Sequence, residues 1–191
     1  MGEIKDYLWP LPSIAGIISI IAILCPAAYF TYGNPNPIFG LSYIELWMWN
    51  LTNYSFRRWG LGLAFGSHSS SSHSGSIDIS LNINNFSLLF GFVFSCIIII
   101  VSSLTIFYAN QVRKRKIKPS KVIKLWFLFA IIMINSVIGW MLSQEFFIQQ
   151  NSTYNDMPFS FWTHFTPGFG VIGPIIAALL ILINILLAKI L

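Results

Sequence analysis

Four runs of about 20 mainly apolar residues, Ser13 to Thr31, Ser87 to Ala109, Ile123 to Leu142 and Phe169 to Ala188, constrain this chain more than any other feature. At 1.5 Å of rise per helical residue, each is long enough to cross a hydrocarbon slab about 30 Å thick. Lipid offers no water to the backbone, so each run is expected to be a helix that closes its own hydrogen bonds. Only 9% of the 191 residues are charged, against about a quarter in ordinary soluble domains, which excludes that class. The expected fold class is an all-α membrane protein: a four-transmembrane-helix bundle forming a single membrane domain over 1–191.

The segment from Arg113 to Lys124 sets the orientation. It holds Arg113, Lys114, Arg115, Lys116, Lys118, Lys121 and Lys124 between the second and third runs. Basic loops stay on the cytoplasmic side of a bilayer, so the inner loop is 110–122 and the outer loops are 32–86 and 143–168. An even number of spans places both termini in the cytoplasm. Lys5 and Lys189 then join the inner side, leaving Arg57 and Arg58 as the outer cations among eleven Lys and Arg. Concentrated in this way, the net charge of +5 sorts topology and offers no face for nucleic acid. It also fits contact with anionic lipid. A plasma-membrane location is expected. A signal-peptide reading of the first run fails because Glu3 and Asp6 outnumber Lys5 ahead of it.

The first outer loop is too aromatic for a linker, with Trp47, Trp49, Trp59, Phe39, Phe56 and Phe65. Residues alternate apolar and polar from Arg58 to Phe65 and from Ile77 to Asn84, the period of a half-buried strand. The serine-rich segment from Gly66 to Ser76 reads as a flexible tip between them. An extracellular antiparallel sheet is therefore expected from the first outer loop, with Tyr43 to Trp49 as a possible third strand. In the third run, Trp126 and Trp140 are spaced as anchors for the two membrane interfaces. Asn135 and Asn184 are each expected to make an interhelical hydrogen bond.

Chemistry-bearing patterns are few. Asn50, Asn53, Asn85 and Asn151 each begin a glycosylation triplet, all on the outer side; Asn50 or Asn53, and Asn151, are the plausible acceptors. Cys25 and Cys96 fall within apolar runs, where buried thiols are expected and no outer disulfide can form. His68, His73 and His164 lie outside; His68 and His73 sit on the serine-rich tip without a rigid scaffold or a nearby Cys, which favours a solvated loop over a metal site. Gly168, Gly170 and Gly173 fit G-x-G-x-x-G, yet no strand and turn precede a nucleotide-binding helix there. Close helix packing by Gly173 and Ala177 explains the spacing better. No Asp, Glu, Lys, Arg or His lies in the middle of a span, which argues against transport or catalysis within the membrane. No catalytic residue, cofactor or metal is expected.

In this frame the chain resembles the claudin and peripheral-myelin-protein superfamily of tetraspan proteins. The resemblance rests on four spans, a strand-bearing first outer loop with tryptophans, a small inner loop and a shorter second outer loop. That superfamily carries G-L-W-x-x-C in its first outer loop. Here Leu46 and Trp47 match, while Glu45 stands at the glycine and Asn50 at the cysteine. The resemblance implies a bundle topped by a sheet that acts by lateral or cell-to-cell association. The function expected is a non-catalytic integral membrane interaction protein or auxiliary subunit, at a cell junction for example, with Trp47, Trp49, Trp59, Phe161 and Trp162 as contact residues. Its partners are the bilayer, other membrane proteins or further copies of itself. The alternative is a small accessory subunit of a membrane enzyme or transporter complex, supplying an external histidine to a metal. A channel built by self-assembly would need Ser95, Ser102, Asn135 and Asn184 on one shared face.

Overall fold

The computed structural model describes residues 8–32, 42–49, 52–59, 68–75, 85–151, 153–154, 157–158 and 161–190. Four long or medium helices form the bundle: α1 (Pro10–Ile23), α2 (Asn85–Arg113), α3 (Pro119–Asn151) and α5 (Phe169–Ile190). A one-turn helix, α4 (Phe161–His164), lies ahead of α5. Around the bundle α1 packs against α2 and α5, and α3 packs against the same two, so each helix has two neighbours. Close contacts between antiparallel neighbours fix the levels. Gly16 of α1 sits beside Ser102 and Ile106 of α2, Phe94 of α2 beside Gly139 of α3, and Gly173 of α5 beside Ala22 of α1.

Three helices, α2, α3 and α5, are long and apolar enough to cross a membrane. The first is not. Helix α1 has 14 residues, about 21 Å of rise, and the run expected to continue to Thr31 turns into strand β1 (Pro26–Tyr32). Proline accounts for the change. Pro26 has no N–H to give to the helix ladder, and it disfavours helical backbone at Cys25 before it. The last turn tightens, with Leu24 N–H on Ile21 O at 3.0 Å and Cys25 N–H on Ala22 O at 2.9 Å. Beyond it, Tyr29, Phe30, Thr31 and Tyr32 are aromatic or β-branched and suit a pleated strand.

Strand β1 belongs to a five-stranded antiparallel sheet in the order β4-β3-β2-β1-β7, with β2 (Ser42–Trp47), β3 (Thr52–Trp59), β4 (His68–Gly75) and β7 (Thr166–Pro167). β2 matches the third strand expected from Tyr43 to Trp49. Two other expectations change. Arg58 and Trp59, read as the start of a strand, end β3 instead, and the serine-rich segment, read as a flexible tip, is β4, paired with β3 from Thr52↔Gly75 to Trp59↔His68. Backbone pairing does not need apolar side chains, and the eight residues of β4 are polar or glycine, which suits the edge of a sheet. The alternating positions 60–65 and 77–84 lie outside the described residues. A separate hairpin joins β5 (Thr153–Tyr154) to β6 (Met157–Pro158).

Two apolar clusters hold these layers. One fills the bundle with Ala15, Val112, Trp126, Phe129, Met133, Ala177 and Ile181. The other binds the sheet to the bundle's end, with Ala27, Ala28, Leu46 and Met48 against Ile98, Val137, Trp140, Phe161, Phe165 and Val171. Trp126 and Trp140 are fully buried, not interfacial anchors. Fourteen residues is almost four helical turns, so both fall on the α3 stripe that carries Val122, Phe129, Met133 and Val137 into the core. The basic connection is tight. Arg115 adopts a left-handed conformation (φ 54°), with its N–H on Val112 O at 2.9 Å and Lys116 N–H on Gln111 O at 3.0 Å, the paired bonds of a Schellman cap. Pro119 then opens α3 at a position where its missing N–H costs nothing.

Candidate functional site

The junction of sheet and bundle brings together three aromatics of the second loop, Phe161, Trp162 and Phe165, with Trp140 of α3. Phe161 stacks on Phe165 (centroids 4.1 Å apart, 7° between planes) and meets the edge of Trp162 at 4.7 Å; Trp162 also lies edge-on to Trp140 at 6.1 Å. The Trp162 indole N–H donates to Met141 O at 3.1 Å, and its backbone N–H donates to Glu145 Oε2 at 3.3 Å. Glu145 thereby ties α4 to the end of α3. These bonds need charged and amide partners 17 and 21 residues away, so no local sequence pattern announces them.

β7 carries the second long loop into the first loop's sheet. Gly168 N–H donates to Ala27 O at 2.8 Å, and Thr166 Oγ1 donates to Tyr29 O at 3.2 Å. A Cβ at Gly170 would lie 2.7 Å from Cys25 O and 2.8 Å from Ala27 Cα, so the glycine permits α5 to start directly against the end of α1. The G-x-G-x-x-G spacing thus serves close backbone packing. On β1, burial first, then the Glu45 carboxylate opposite it and Cys25, push the Tyr29 phenol above its usual 10.0.

Of the five residues expected to make contacts, Phe161 is fully buried and Trp162 half-buried in the aromatic junction. Trp47 is half-buried and its indole N–H donates to Leu24 O at 3.0 Å, closing one of the carbonyls left open at the end of α1. Trp49, in the turn after β2, is 43% exposed. Trp59 ends β3.

Among the acceptor asparagines, Asn53 lies in β3 opposite Glu45 and Ser74, Asn151 ends α3, and Asn50 lies outside the described residues. His68 and His73 are both in β4, five positions apart, an odd spacing that puts the two positions on opposite faces of a strand. His164 ends α4. Among the described residues no group of three or more His, Cys, Asp or Glu could hold a metal ion. Cys25 and Cys96 are free thiols and half-buried.

The polar residues of the spans part company. Ser95, Ser102 and Thr105 are buried on α2 and donate to carbonyls of their own helix, Gly91 O, Ile98 O and Val101 O, at 2.7 to 2.8 Å. Asn184 is fully buried on α5, and neither end of its amide meets a partner among the described residues. The interhelical bond expected of it is not made. Asn135 is exposed on the outside of α3, so its expected bond within the bundle is not made either. Ser95, Ser102, Asn135 and Asn184 therefore share no face that could line a pore.

At the other end of the bundle Arg113, Lys114, Arg115, Lys116, Lys118, Lys121 and Lys124 are all exposed. The Arg113 guanidinium lies 4.9 Å from the centre of the Trp9 ring, joining the end of α2 to the start of α1 by a cation–π contact.

Large apolar side chains remain exposed along all four bundle helices, among them Ile17 and Ile21, Ile100 and Phe107, Leu128 and Leu142, and Leu179 and Leu186. With three helices long and apolar enough to span, that surface defines an integral membrane protein in contact with the bilayer. No family model and no curated protein matches the chain.

Proposed function

We propose that this is a non-catalytic integral membrane interaction protein, built on a claudin-like plan and acting through its outer segments in self-association, adhesion or as an auxiliary subunit. One observation carries the reading. Both outer segments join in a single sheet fastened to the bundle by buried aromatics, while Trp49 stays 43% exposed in the turn after β2. Exposed tryptophan on a rigid support is the kind of anchor that dominates protein interfaces. The clustered cations support a plasma-membrane orientation with both termini in the cytoplasm, which puts the sheet, Trp59 and the acceptors Asn50, Asn53 and Asn151 outside.

The test is purification of the full chain from its native membrane in mild detergent, with the mass and composition of the particle determined. A defined homomer or heteromer that is lost on Trp49→Ala is the expected result. A monomer in the unsubstituted protein, or a complex indifferent to Trp49→Ala, would sink the proposal.

A further inference from the structure

The lipid-facing stripe of α3 differs from those of its neighbours. Its exposed positions include Leu128, Ile131, Asn135, Ile138 and Leu142, separated by three, four, three and four residues. That is two heptads of a seam, about four helical turns, with Asn135 at a central position. The exposed stripes of α1 (Ile14, Ile17, Ile21) and α5 (Ile172, Ile176, Leu179, Ile183) have similar spacing but no polar residue at the centre.

Depth makes Asn135 costly. It stands eleven residues after Lys124 and ten before Glu145, the charged residues that bracket the apolar part of α3, hence about 15 Å from either end. An amide facing hydrocarbon at the midplane lacks both donor and acceptor partners. Ser103, the exposed polar residue of α2's apolar stretch, differs in kind. A serine hydroxyl can donate to the carbonyl one turn earlier, as Ser95 and Ser102 do. A primary amide has two donors and an acceptor to satisfy.

We infer that α3 packs along this stripe against α3 of a second copy of the chain, with the two Asn135 amides hydrogen-bonded to each other at the middle of the membrane. A second copy is the occupant for a geometric reason. Every copy has the same orientation in the bilayer, so a two-fold axis along the membrane normal brings each α3 residue opposite itself at its own depth. Asn135 then meets Asn135, and an amide is its own complement, donor to acceptor in both directions. Apolar Leu128, Ile131, Ile138 and Leu142 supply knobs and holes on either side. Lys121 and Lys124 continue the same positions toward the inner end and are exposed there, and Glu145 is half-buried at the other end, so the seam is confined to the apolar stretch between them. It lies on the membrane face of α3 and stands or falls separately from the outer segments.

The experiment uses the full chain carrying Cys25→Ala and Cys96→Ala in phosphatidylcholine vesicles. Single Leu128→Cys, Ile131→Cys, Asn135→Cys, Ile138→Cys and Leu142→Cys variants are oxidised, with Ile183→Cys on α5 as the control. The α3 variants should form cross-linked dimers and the control should not. In parallel, energy transfer between labelled copies at increasing lipid dilution measures the dimer dissociation constant. Asn135→Leu should raise it about three- to thirtyfold, the range for one interhelical polar contact in lipid. A melting temperature for Asn135→Leu at or above that of the parent establishes that the fold survives. Cross-linking as strong at Ile183→Cys as on α3, absence of cross-links on α3, or a dissociation constant unmoved by Asn135→Leu would each overturn the inference.

Discussion

Gly173 shows how little room separates α1 from α5: a Cβ placed on it would run into the methyl group of Ala22. Gly173→Val adds three carbons at that point, and relief requires the helices to part. It should destabilise the protein by about 1–3 kcal/mol, read as a lower melting temperature in detergent. Asn184 presents the opposite case. Its amide is fully buried with no partner among the described residues, so Asn184→Leu removes a desolvated polar group and keeps the volume similar. The expected change is stabilisation by about 1 kcal/mol or more in the same melting experiment. A marked loss of stability would mean the amide is satisfied after all.

Among the elements, the change from α1 to β1 has the largest consequence. Hydropathy reads Ser13 to Thr31 as one run because Ala27, Ala28, Tyr29 and Phe30 are apolar in a strand as in a helix. Pro26 is the visible sign of the break. What decides for a strand is the pair of neighbours, β2 on one side and β7 on the other, which the sequence brings in from far along the chain. Trp47 secures the joint by its bond to Leu24 O. Trp47→Phe keeps the aromatic body and removes the donor. It should cost about 0.5–1.5 kcal/mol, with faster hydrogen exchange at the last turn of α1 than elsewhere in the bundle. An unchanged exchange rate there would show that the indole bond does not hold the joint.

For the whole molecule, charge and apolar surface act at opposite levels. The seven cations from Arg113 to Lys124 all lie exposed at one end, around a turn too short to bury them. Changing all seven to Gln should leave the helices intact, since none of the seven is in the core. It should yield a mixture of orientations in the membrane, read by labelling of cysteines introduced in the connection between α2 and α3 from either side, and less acidic lipid in the purified protein. Retention of a single orientation and of the lipid would assign topology to other signals.

The sequence by itself determined the presence of helices α2, α3 and α5, a basic connection between α2 and α3 and the membrane environment, because run length and charge are local quantities that lipid reads directly; only the structure shortened that connection from 110–122 to the turn between Arg113 and Pro119. It also indicated β2. Tertiary structure decided what depends on distant neighbours. It buried Trp126 and Trp140, turned Asn135 outward and Asn184 inward, and made a strand of the serine segment by offering it β3. Phe161 joined the core while Trp49 stayed on the surface, although both are aromatics in loops rich in aromatic residues. For the helix residues the reason is that an apolar helix in lipid has no single hydrophobic face, and for the strand and the loop aromatics that their partners lie far along the chain, so in each case only contact with neighbours settles what is inside.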